Sequence, residues 1–324
     1  MQSAVTDTLE FRDFAAGDPG YGERLCNVLS DAGWVGAGSP REVMHWVDRA
    51  FDRGVRLDPV TICHRGARIL GGAVGVDMPG GSALLVIGAG GHERGAVCAG
   101  LASRQISALG LRRCKLIEAL TSPDDAAMSG AFARSGFTFL TRLTFLYLPV
   151  SGVQPGRNVP PLRWESYSAQ THLRFVDVLG RTYLDSADCP ELTRLRTAAE
   201  ALQTHRSASE SGTDGWALGC DDHQDVAVLL TSHHARLGLT EVNYMGVVPE
   251  QRGRRVAEAM ILEAAFRARK LSATMLSLAV DRRNLAARKL YARLGFLEAQ
   301  AKDAWLLPLR AARSEGDGQV VHIM

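Results

Sequence analysis

Long apolar runs and strong net charge are both missing from this sequence. No stretch of about 18 apolar residues occurs, which excludes an ordinary membrane-spanning helix. The formal net charge is only +2 over 324 residues, so no overall basic field points to nucleic acid or a membrane surface. The opening MQSAVTDTLEFRDF has acidic residues and no apolar centre, unlike a secretory signal. We therefore expect a cytoplasmic protein with neither nucleic acid nor membrane as a partner.

Metal-binding motifs are missing as well. The six cysteines are scattered, without a CxxC or other metal-type spacing: Cys26, Cys63, Cys98, Cys114, Cys189 and Cys220. We interpret them as reduced thiols, most of them in the core. His233 and His234 are adjacent in TSHHARLG, without an obvious carboxylate or cysteine partner. A hairpin turn is the favoured interpretation of this pair, and no metal site is predicted.

The chain does contain enough apolar sequence for a large core. Hydrophobic residues make up 46% of it, and its length suits two domains of ordinary size or one large domain. The stretch VSGVQPGRNVPP has three prolines and two glycines, which indicates an extended connector. We place the domain boundary there, which divides the chain into a first unit (1–150), a linker (151–161), a second unit (162–312) and a tail (313–324).

The two halves resemble each other. Ala-Arg-Leu-Gly-Phe at 292–296 matches Ala-Arg-Ser-Gly-Phe at 133–137, and an Arg-Gly pair at 252–253 matches one at 94–95. The separation between these landmarks is nearly the same in each half, which indicates an internal duplication offset by about 158 residues. Predicted strands alternate with predicted helices in a similar order, so each half is expected to be α/β with a mixed sheet.

Two helix predictions concern the second half. Apolar residues at helical spacing, among them Met260 and Ile261, predict a helix over 255–271 (RVAEAMILEAAFRARKL). The segment PELTRLRTAAEALQ (190–203) is also predicted to be one helix.

The stretch GVVPEQRGRRVA, from Gly246 to Ala257, places a basic glycine-containing loop between a strand and a helix. The first N–H groups of a helix lack partners and its dipole favours negative charge, so this arrangement suits an anion. Neither the phosphate-loop pattern of nucleotide hydrolases nor the three-glycine dinucleotide pattern is present. The loop alone is equally consistent with a surface turn carrying solvated arginines.

The downstream segment distinguishes these interpretations. VVPEQRGRRVA, followed about 30 residues later by NLAARKLYARLGF, resembles the GNAT N-acetyltransferase superfamily. The resemblance implies an α/β fold of two tandem GNAT-like domains, each with a mixed, largely antiparallel sheet flanked by helices. Two such units are similar to the tandem acetyltransferases, a group that includes mycothiol synthase. That narrower resemblance concerns architecture and does not identify the substrate.

The resemblance also implies how acetyl-CoA is bound. The strand residues Gly246, Val247 and Val248 would pair with the pantetheine arm. The following loop would supply N–H groups and charge to the pyrophosphate through Arg252, Gly253, Arg254, Arg255, Val256 and Ala257. Asn284 resembles the asparagine that contacts the cofactor at the start of the next helix.

Two catalytic residues follow from the same comparison. Tyr291 lies where the family has a tyrosine near the thiol, able to protonate the departing thiolate. Glu241, on the strand that leads into the loop, is the candidate base, and Asn243 and Met245 share its strand face. Without the motif, Tyr291 would be interpreted as a half-buried aromatic. Glu241 is equally consistent with a solvent-facing or ion-paired strand residue.

The sequence departs from the family pattern in both halves. Arg255 stands where the family usually has glycine, which would cost on the order of 1 kcal/mol if the position requires a positive φ. In the first half Phe132 falls at the position of Tyr291, and Asp125 at that of Asn284. We therefore expect the first unit to be catalytically silent.

Two functions from different classes remain open at this stage. The favoured one is an N-acetyltransferase that moves acetyl from acetyl-CoA to a primary amine, on a small molecule or a peptide, by direct attack in a ternary complex. The alternative is a non-catalytic acyl-CoA-binding sensor or scaffold. The acidic stretch YLDSADCPE (183–191) could face a cationic amine, although a solvated helix end is the simpler interpretation.

Overall fold

A computed structural model of the chain describes residues 8–32, 40–112, 114–154, 158–209, 211–222 and 224–309. The predicted tail, 313–324, lies outside these residues. Along the first half the elements are β1 (Glu10–Phe14), α1 (Tyr21–Asp31), α2 (Pro40–Asp52), β2 (Val60–Arg65), β3 (Arg68–Met78), β4 (Ser82–Ala89), α3 (Arg94–Leu111), β5 (Leu116–Thr121), α4 (Ala126–Arg134) and β6 (Thr138–Pro149).

The second half repeats much of this order. Its elements are β7 (Arg163–Ser166), α5 (His172–Tyr183), α6 (Ala198–Ala208), β8 (Ala217–Cys220), β9 (Asp225–His234), β10 (Leu239–Val247), α7 (Val256–Lys270), β11 (Met275–Asp281), α8 (Leu285–Arg293) and β12 (Leu297–Pro308). None of the helices in the described ranges is long and apolar enough to cross a membrane.

All the strands join one 12-stranded sheet, in the order β1-β2-β3-β4-β5-β12-β6-β11-β10-β9-β8-β7. Neighbouring strands are antiparallel except for two parallel pairs, β4 with β5 and β10 with β11. The predicted α/β class, with a mixed and largely antiparallel sheet in each half, is confirmed.

The last strand of each half lies on the other half's side of the sheet. β12 is inserted between β5 and β6, and β6 in turn pairs with β11. Arg142 and Asp303 are register partners in the β6–β12 pair, and their ion pair has an N–O distance of 2.6 Å. The two halves therefore share continuous backbone hydrogen bonding through the middle of the sheet.

The duplication is visible in matching aromatic pairs. In the second half the Tyr291 and Phe296 rings are 5.4 Å apart, and the Phe296 N–H donates to the Tyr291 carbonyl at 3.0 Å. In the first half Phe132 and Phe137 repeat this arrangement, with rings 4.9 Å apart and the same backbone bond at 3.0 Å. The two helix ends are therefore built alike, and the first half lacks the tyrosine hydroxyl.

The predicted helix over 255–271 is observed as α7, with its ends displaced by one residue at each side. Met260 and Ile261 are fully buried on its inner face. Burying each such side chain stabilises the fold by about 1.5–3 kcal/mol. This burial holds the N-terminus of α7 firmly against the sheet.

The prediction of one helix over 190–203 is wrong. A short 3₁₀ turn covers Leu192–Arg194, and the α-helix begins only at Ala198. The Thr197 hydroxyl accepts from the Glu200 N–H at 3.2 Å, and the Glu200 carboxylate accepts from the Thr197 N–H at 2.9 Å. This reciprocal cap fixes a helix start that apolar spacing alone could not locate.

The turn predicted at His233 and His234 is displaced. Both residues end strand β9, and the turn follows as a 3₁₀ segment, Ala235–Leu237, with Gly238 at φ 58°. The His234 Nε2 lies 3.4 Å from a Glu241 carboxylate oxygen across the hairpin. The carboxylate partner comes from seven residues downstream, because the hairpin folds β10 back onto β9.

Candidate active site

The candidate site begins where β10 and β11 separate. Their parallel pairing covers only 239–242 against 275–278. Beyond this point β10 remains paired with β9, where Gly246 faces Val228 and the register shifts between Val242 and Tyr244. The strand edge over 246–248 therefore turns towards an opening rather than towards β11. This is the edge that the resemblance assigns to the pantetheine arm.

The loop after this edge has an unusual backbone. Gly253 has φ 76° and Arg255, which directly precedes α7, has φ 63° and ψ 13°. The N–H groups of Val256 and Ala257 lie in the first turn of α7, where no carbonyl lies one turn back to accept them. The loop thus presents open donors at the positive end of a helix, the arrangement expected for an anion.

Arg255 occupies the left-handed conformation that the family's glycine would adopt freely. The cost for a non-glycine residue is about 1–2 kcal/mol. Its guanidinium binds both oxygens of Glu258, each at 2.9 Å, and the Glu258 side chain is only 3% exposed. Arg293 approaches the same carboxylate at 3.6 Å. The Arg255 charge is directed back into the protein to neutralise Glu258.

The Arg252 side chain also has a partner inside the protein. Its guanidinium donates to the carbonyls of Thr182, Leu184 and Asp185 at 3.0, 2.7 and 3.1 Å. These carbonyls end α5 and begin the segment after it. Arg252 therefore joins the loop to the end of α5, while the side chain of Arg254 is exposed at the loop surface.

Tyr291 lies on α8, the helix that follows β11 in the chain. Asn284 starts this helix, and its side-chain oxygen accepts from the Ala287 N–H at 3.1 Å. The Tyr291 side chain is buried. Burial, and then the negative charge of Asp188, raise the pKa of the Tyr291 hydroxyl above its ordinary value. Tyr291 is therefore protonated at neutral pH and can donate a proton to a nearby anion.

Glu241 and Asn243 lie on β10. Glu241 is partly exposed on the paired section of the strand, beside His234. Asn243 lies at the register shift, where its side-chain oxygen accepts from the Ser232 hydroxyl at 2.6 Å. Met245, further along, is half-buried against the core of the second half. No contact between Glu241 and Tyr291 occurs within the described residues.

The structure adds an acidic group that motif comparison did not assign to the site. Asp281 ends β11 and is fully buried, accepting from the Thr141 hydroxyl and from Arg283, each at 2.7 Å. Its own N–H donates to a carboxylate oxygen of Asp188 at 3.3 Å. Asp188 is exposed at the surface, but the protein around it reduces its hydration, and this, with the neighbouring charge of Asp281, raises the pKa of Asp188 to about 6. In the sequence, the acidic stretch 183–191 was what indicated this acidic group.

An aromatic surface lies beside this group. The Tyr244 ring packs edge-on against Tyr183 at 5.8 Å, and its hydroxyl is 2.8 Å from that of Thr182. His205, on α6, has its ring 6.2 Å from that of Tyr244. Burial, and then the Arg196 charge, lower the pKa of His205 to about 3, so it is neutral at physiological pH.

The first half contributes to the same region. Glu118, on β5, lies 3.6 Å from Arg196, which is only 13% exposed. Helix α6 rests on the turn after β3, where the Thr204 hydroxyl donates to the Pro79 carbonyl at 3.0 Å. Lys115 forms an ion pair with Glu200 on the same helix. The first half therefore supports the helices that border the aromatic surface.

The cysteines offer no activated nucleophile here. All six are free thiols; Cys189 is half-buried and the other five are buried. Burial, together with Asp188 and Asp281, raises the pKa of the Cys189 thiol above its ordinary value. Asp188, Cys189 and Asp281 are close enough to share a cation, but Arg283 already binds Asp281. A thiolate is disfavoured at this position.

The equivalent loop of the first half lacks these features. Gly91 has φ 85°, but Glu93, directly before α3, has φ −99° and lacks the left-handed conformation of Arg255, and its carboxylate stands at the helix start. Arg94 is bound by Asp125 at 2.5 Å and by the Ala89 carbonyl at 2.7 Å. Phe132 takes the place of the tyrosine, so the hydroxyl is missing from this half.

A separate concavity lies at the β7 edge of the sheet. It has a volume of about 280 Å³ and is lined by Arg163, Arg174, Cys220 and Asp225, among others. Arg174 pairs with Asp225 at 2.7 Å, so its charges are largely satisfied within the protein. None of its lining residues belongs to the candidate site, although its Asp221 accepts from the Gln251 side chain at 3.3 Å.

The geometry agrees with comparisons to known proteins. Residues 193–296 match the model of the acetyltransferase (GNAT) family. No curated protein matches the chain in sequence. A GCN5-related N-acetyltransferase from Sphaerobacter thermophilus has a similar structure, with 13% identity over 94% of this chain and 96% of that one, and a TM-score of 0.61.

Two further solved structures are similar to this chain over nearly their whole length. A tandem GNAT protein from the clavulanic acid biosynthesis pathway has 14% identity over 95% of this chain and 100% of its own, with a TM-score of 0.56. A putative acetyltransferase from Pyrococcus horikoshii has 13% identity over 96% and 93%, with a TM-score of 0.57. Identities this low establish the fold alone. Residues 193–296 are therefore similar to the acetyltransferase (GNAT) family, and the whole chain has the fold of the tandem GNAT protein.

Proposed function

We propose that the protein is an acetyl-CoA-dependent N-acetyltransferase that moves an acetyl group to a primary amine by direct attack in a ternary complex. The match of residues 193–296 to the GNAT family model supports acyl transfer in general. One observation carries the finer proposal. A loop with open N–H donors stands at one end of the opening between β10 and β11, and Tyr291 lies on the helix that follows β11.

The residues around the opening suit the parts of acetyl-CoA. When bound, acetyl-CoA supplies an acetyl group activated as a thioester. The loop N–H groups from 253 to 257 would hold its pyrophosphate, with Arg254 adding charge. The unpaired edge over 246–248 would hydrogen-bond the pantetheine amides, as an added strand would. The start of α8 at Asn284 would border the thioester end.

Tyr291 is proposed as the general acid. Attack of an amine on the thioester expels a thiolate, and a phenol held protonated in a buried position can supply the proton. Cys189 does not support a covalent route, because its thiol is held protonated by burial and by two carboxylates. The acetyl group is therefore proposed to pass directly from sulfur to nitrogen.

The amine must lose a proton before it attacks, since amines are mostly protonated at neutral pH. Glu241 is the base that the sequence predicts. Its contact with His234, at 3.4 Å, would allow the proton to pass on to the imidazole. The partial exposure of both side chains would then release the proton to solvent.

The first half is proposed to be a catalytically silent support. Its loop is closed by Glu93 and by the Arg94–Asp125 pair, and it has phenylalanine in place of the acid. Its contacts with α6 instead hold one wall of the acceptor region. A cytoplasmic location and free thiols throughout are consistent with this chemistry and belong to the same proposal.

The proposal can be tested with acetyl-CoA and a panel of simple amines, amino sugars and lysine-containing peptides. Acetyl-CoA should raise the melting temperature, and free thiol should accumulate only when an acceptor amine is present. A melting shift without thiol release from any amine would favour the acyl-CoA sensor. No shift with any acyl-CoA would contradict both functions.

A further inference from the structure

We propose that Asp188, in place of Glu241, receives the ammonium group of the acceptor and takes its first proton, so that the acceptor of this protein is a cationic amine. This inference rests on the acetyltransferase function proposed above and assigns a residue outside the family motif to its acceptor side. It gives the acidic segment 184–191, here called the acceptor loop, a role in the reaction.

The acceptor loop is fixed at both ends by residues of the cofactor side. At its start, the Arg252 guanidinium holds the carbonyls of Leu184 and Asp185. At its end, Glu191 binds Arg283 at 2.7 Å. Arg252 lies after β10, and Arg283 lies after β11. The loop therefore spans the region where these two strands diverge, which is where a thioester held in the opening would be exposed.

Asp185 and Asp188 are the carboxylates of this loop without an ion pair among the described residues, and Asp188 is the one that contacts Asp281. Asp281, beneath it, is fully buried and its charge is met by Arg283. Glu191 is paired with the same arginine. In the described part of the chain Asp188 forms no ion pair, and its carboxylate accepts only from the Asp281 N–H at 3.3 Å. Its side chain is exposed, so an incoming cation can reach it.

The Asp188 charge acts on the two tyrosines that border the site. Burial raises the pKa of Tyr291, the proposed acid, and of Tyr244, on the aromatic surface, and the Asp188 charge adds to this effect at both hydroxyls. This agrees with the position of the acceptor loop, which is held by Arg252 on the β10 side and by Arg283 on the β11 side. Tyr183 and Tyr244 are partly exposed, and the faces of such aromatic rings suit a cationic amine with an apolar body.

The ionisation of Asp188 also suits proton transfer. Its pKa of about 6 means that it is mostly ionised at neutral pH and is basic enough to accept a proton. The charged or titratable groups around it are Asp281, which raises this pKa, Arg283, which lowers it, the Cys189 thiol and the two tyrosines. His205, neutral down to a pKa of about 3, would not produce a titration near pH 6.

The proton balance of the reaction requires one carboxylate base. The ammonium gives one proton to Asp188, which passes it to solvent. The neutral nitrogen then bonds to the acetyl carbon and the carbon–sulfur bond breaks. The thiolate takes a proton from Tyr291, and the second proton lost by nitrogen restores the tyrosine. The products are the amide, the thiol of CoA and one released proton.

The test compares Asp188→Asn with Asp185→Asn, which removes a charge from an exposed residue of the same loop. Glucosamine and 1,5-diaminopentane serve as probe amines, with steady-state rates measured from about pH 5 to pH 9. Asp188→Asn should lower kcat/KM for the amine about 100-fold and remove the acid limb near pH 6, with acetyl-CoA affinity unchanged. Asp185→Asn should behave as wild type.

A binding measurement separates this inference from the proposed function. In calorimetry with CoA present, wild type should bind 1,5-diaminopentane at least about tenfold more tightly than 1,5-pentanediol, and Asp188→Asn should lose this preference. Charge-dependent binding without turnover would support Asp188 while contradicting the acetyltransferase. Turnover with an unaltered acid limb in Asp188→Asn, or loss of that limb in Glu241→Gln instead, would overturn the assignment of Asp188.

Discussion

The Arg255 guanidinium is bound by both carboxylate oxygens of Glu258, each at 2.9 Å, while the Arg255 backbone holds φ 63°. One residue thus combines an unfavourable backbone conformation with an ion pair to a carboxylate that is only 3% exposed. The pair explains how arginine is accommodated where the family has glycine. Without it, Glu258 would remain buried with only Arg293, at 3.6 Å, to offset its charge.

Replacing Arg255 with glycine should therefore destabilise the protein. The substitution relieves about 1 kcal/mol of backbone strain but removes the main partner of a buried carboxylate. Because the Arg255 side chain is 37% exposed, the pair is partly screened, and we expect a net loss of about 1–2 kcal/mol in the free energy of unfolding. Urea denaturation measures this change.

The double variant Arg255→Gly/Glu258→Gln provides the control. Removing the buried charge together with its partner should restore most of the lost stability. Its affinity for acetyl-CoA should equal or exceed that of wild type, because the guanidinium is directed at Glu258 and not at the loop mouth. A single glycine variant more stable than wild type would contradict this role of the ion pair.

Arg252 and Arg254 should affect different substrates. Arg252→Ala removes the hydrogen bonds to the end of α5 and the acceptor loop, so KM for the amine should rise more than KM for acetyl-CoA. Arg254→Ala removes an exposed loop charge, so acetyl-CoA should bind about three- to tenfold more weakly, with a reduced dependence on salt. Steady-state kinetics with each substrate varied in turn measure both effects. A larger rise in KM for acetyl-CoA in Arg252→Ala, or for the amine in Arg254→Ala, would contradict the assignment.

The contact between the first half and α6 predicts an effect at a distance. Gly80 has φ 101°, and an added Cβ would lie 2.4 Å from the Glu200 carbonyl. Gly80→Ala should therefore displace α6, lower the melting temperature and reduce the rate at which the amine is acetylated. Gly91→Ala is the matched control, because Gly91 also has a positive φ, 85°, and nothing lies within 4 Å of an added Cβ there. Equal behaviour of the two variants would exclude a supporting role for this turn.

The silence of the first half can be tested by restoring its missing hydroxyl. Phe132→Tyr should not rescue a Tyr291→Phe variant, because Glu93 and the Arg94–Asp125 pair keep the first loop closed to an anion. Phe132 is only 1% exposed, so the added hydroxyl should also cost stability. Recovery of thiol release in the double variant would show that the first half binds acetyl-CoA.

Much of the fold could be predicted because its determinants are local. Apolar spacing located α7 to within one residue at each end, and the Gly-Phe landmark identified the duplication that the two aromatic pairs display. The Arg-Gly match does not hold in the structure, because Arg94 and Gly95 begin α3 whereas Arg252 and Gly253 lie in the loop before α7. The α/β class followed from the alternation of elements. Strand order was not predicted, since nothing local in β12 specifies that it lies between β5 and β6.

The site was only partly predictable, because some of its residues belong to a local motif and others are defined by contacts between distant parts of the chain. The loop and Tyr291 belong to a motif, and Arg255 was identified as the position where a positive φ would matter, which the structure shows at 63°. The importance of Asp188 depends on contacts with Asp281, 93 residues away, which no spacing rule reveals. The side-chain partners of Arg252 and Arg255 likewise depend on the folded chain.

The most direct test of the account compares CoA thiol release by wild type and by Tyr291→Phe, with acetyl-CoA saturating and the same amine panel. We expect amine-dependent release of the CoA thiol by wild type. In the variant, kcat should be at least about 100-fold lower, with acetyl-CoA affinity unchanged, because only the proton donor is lost. Absence of amine-dependent release in wild type, or an equal kcat in the variant, would contradict this account.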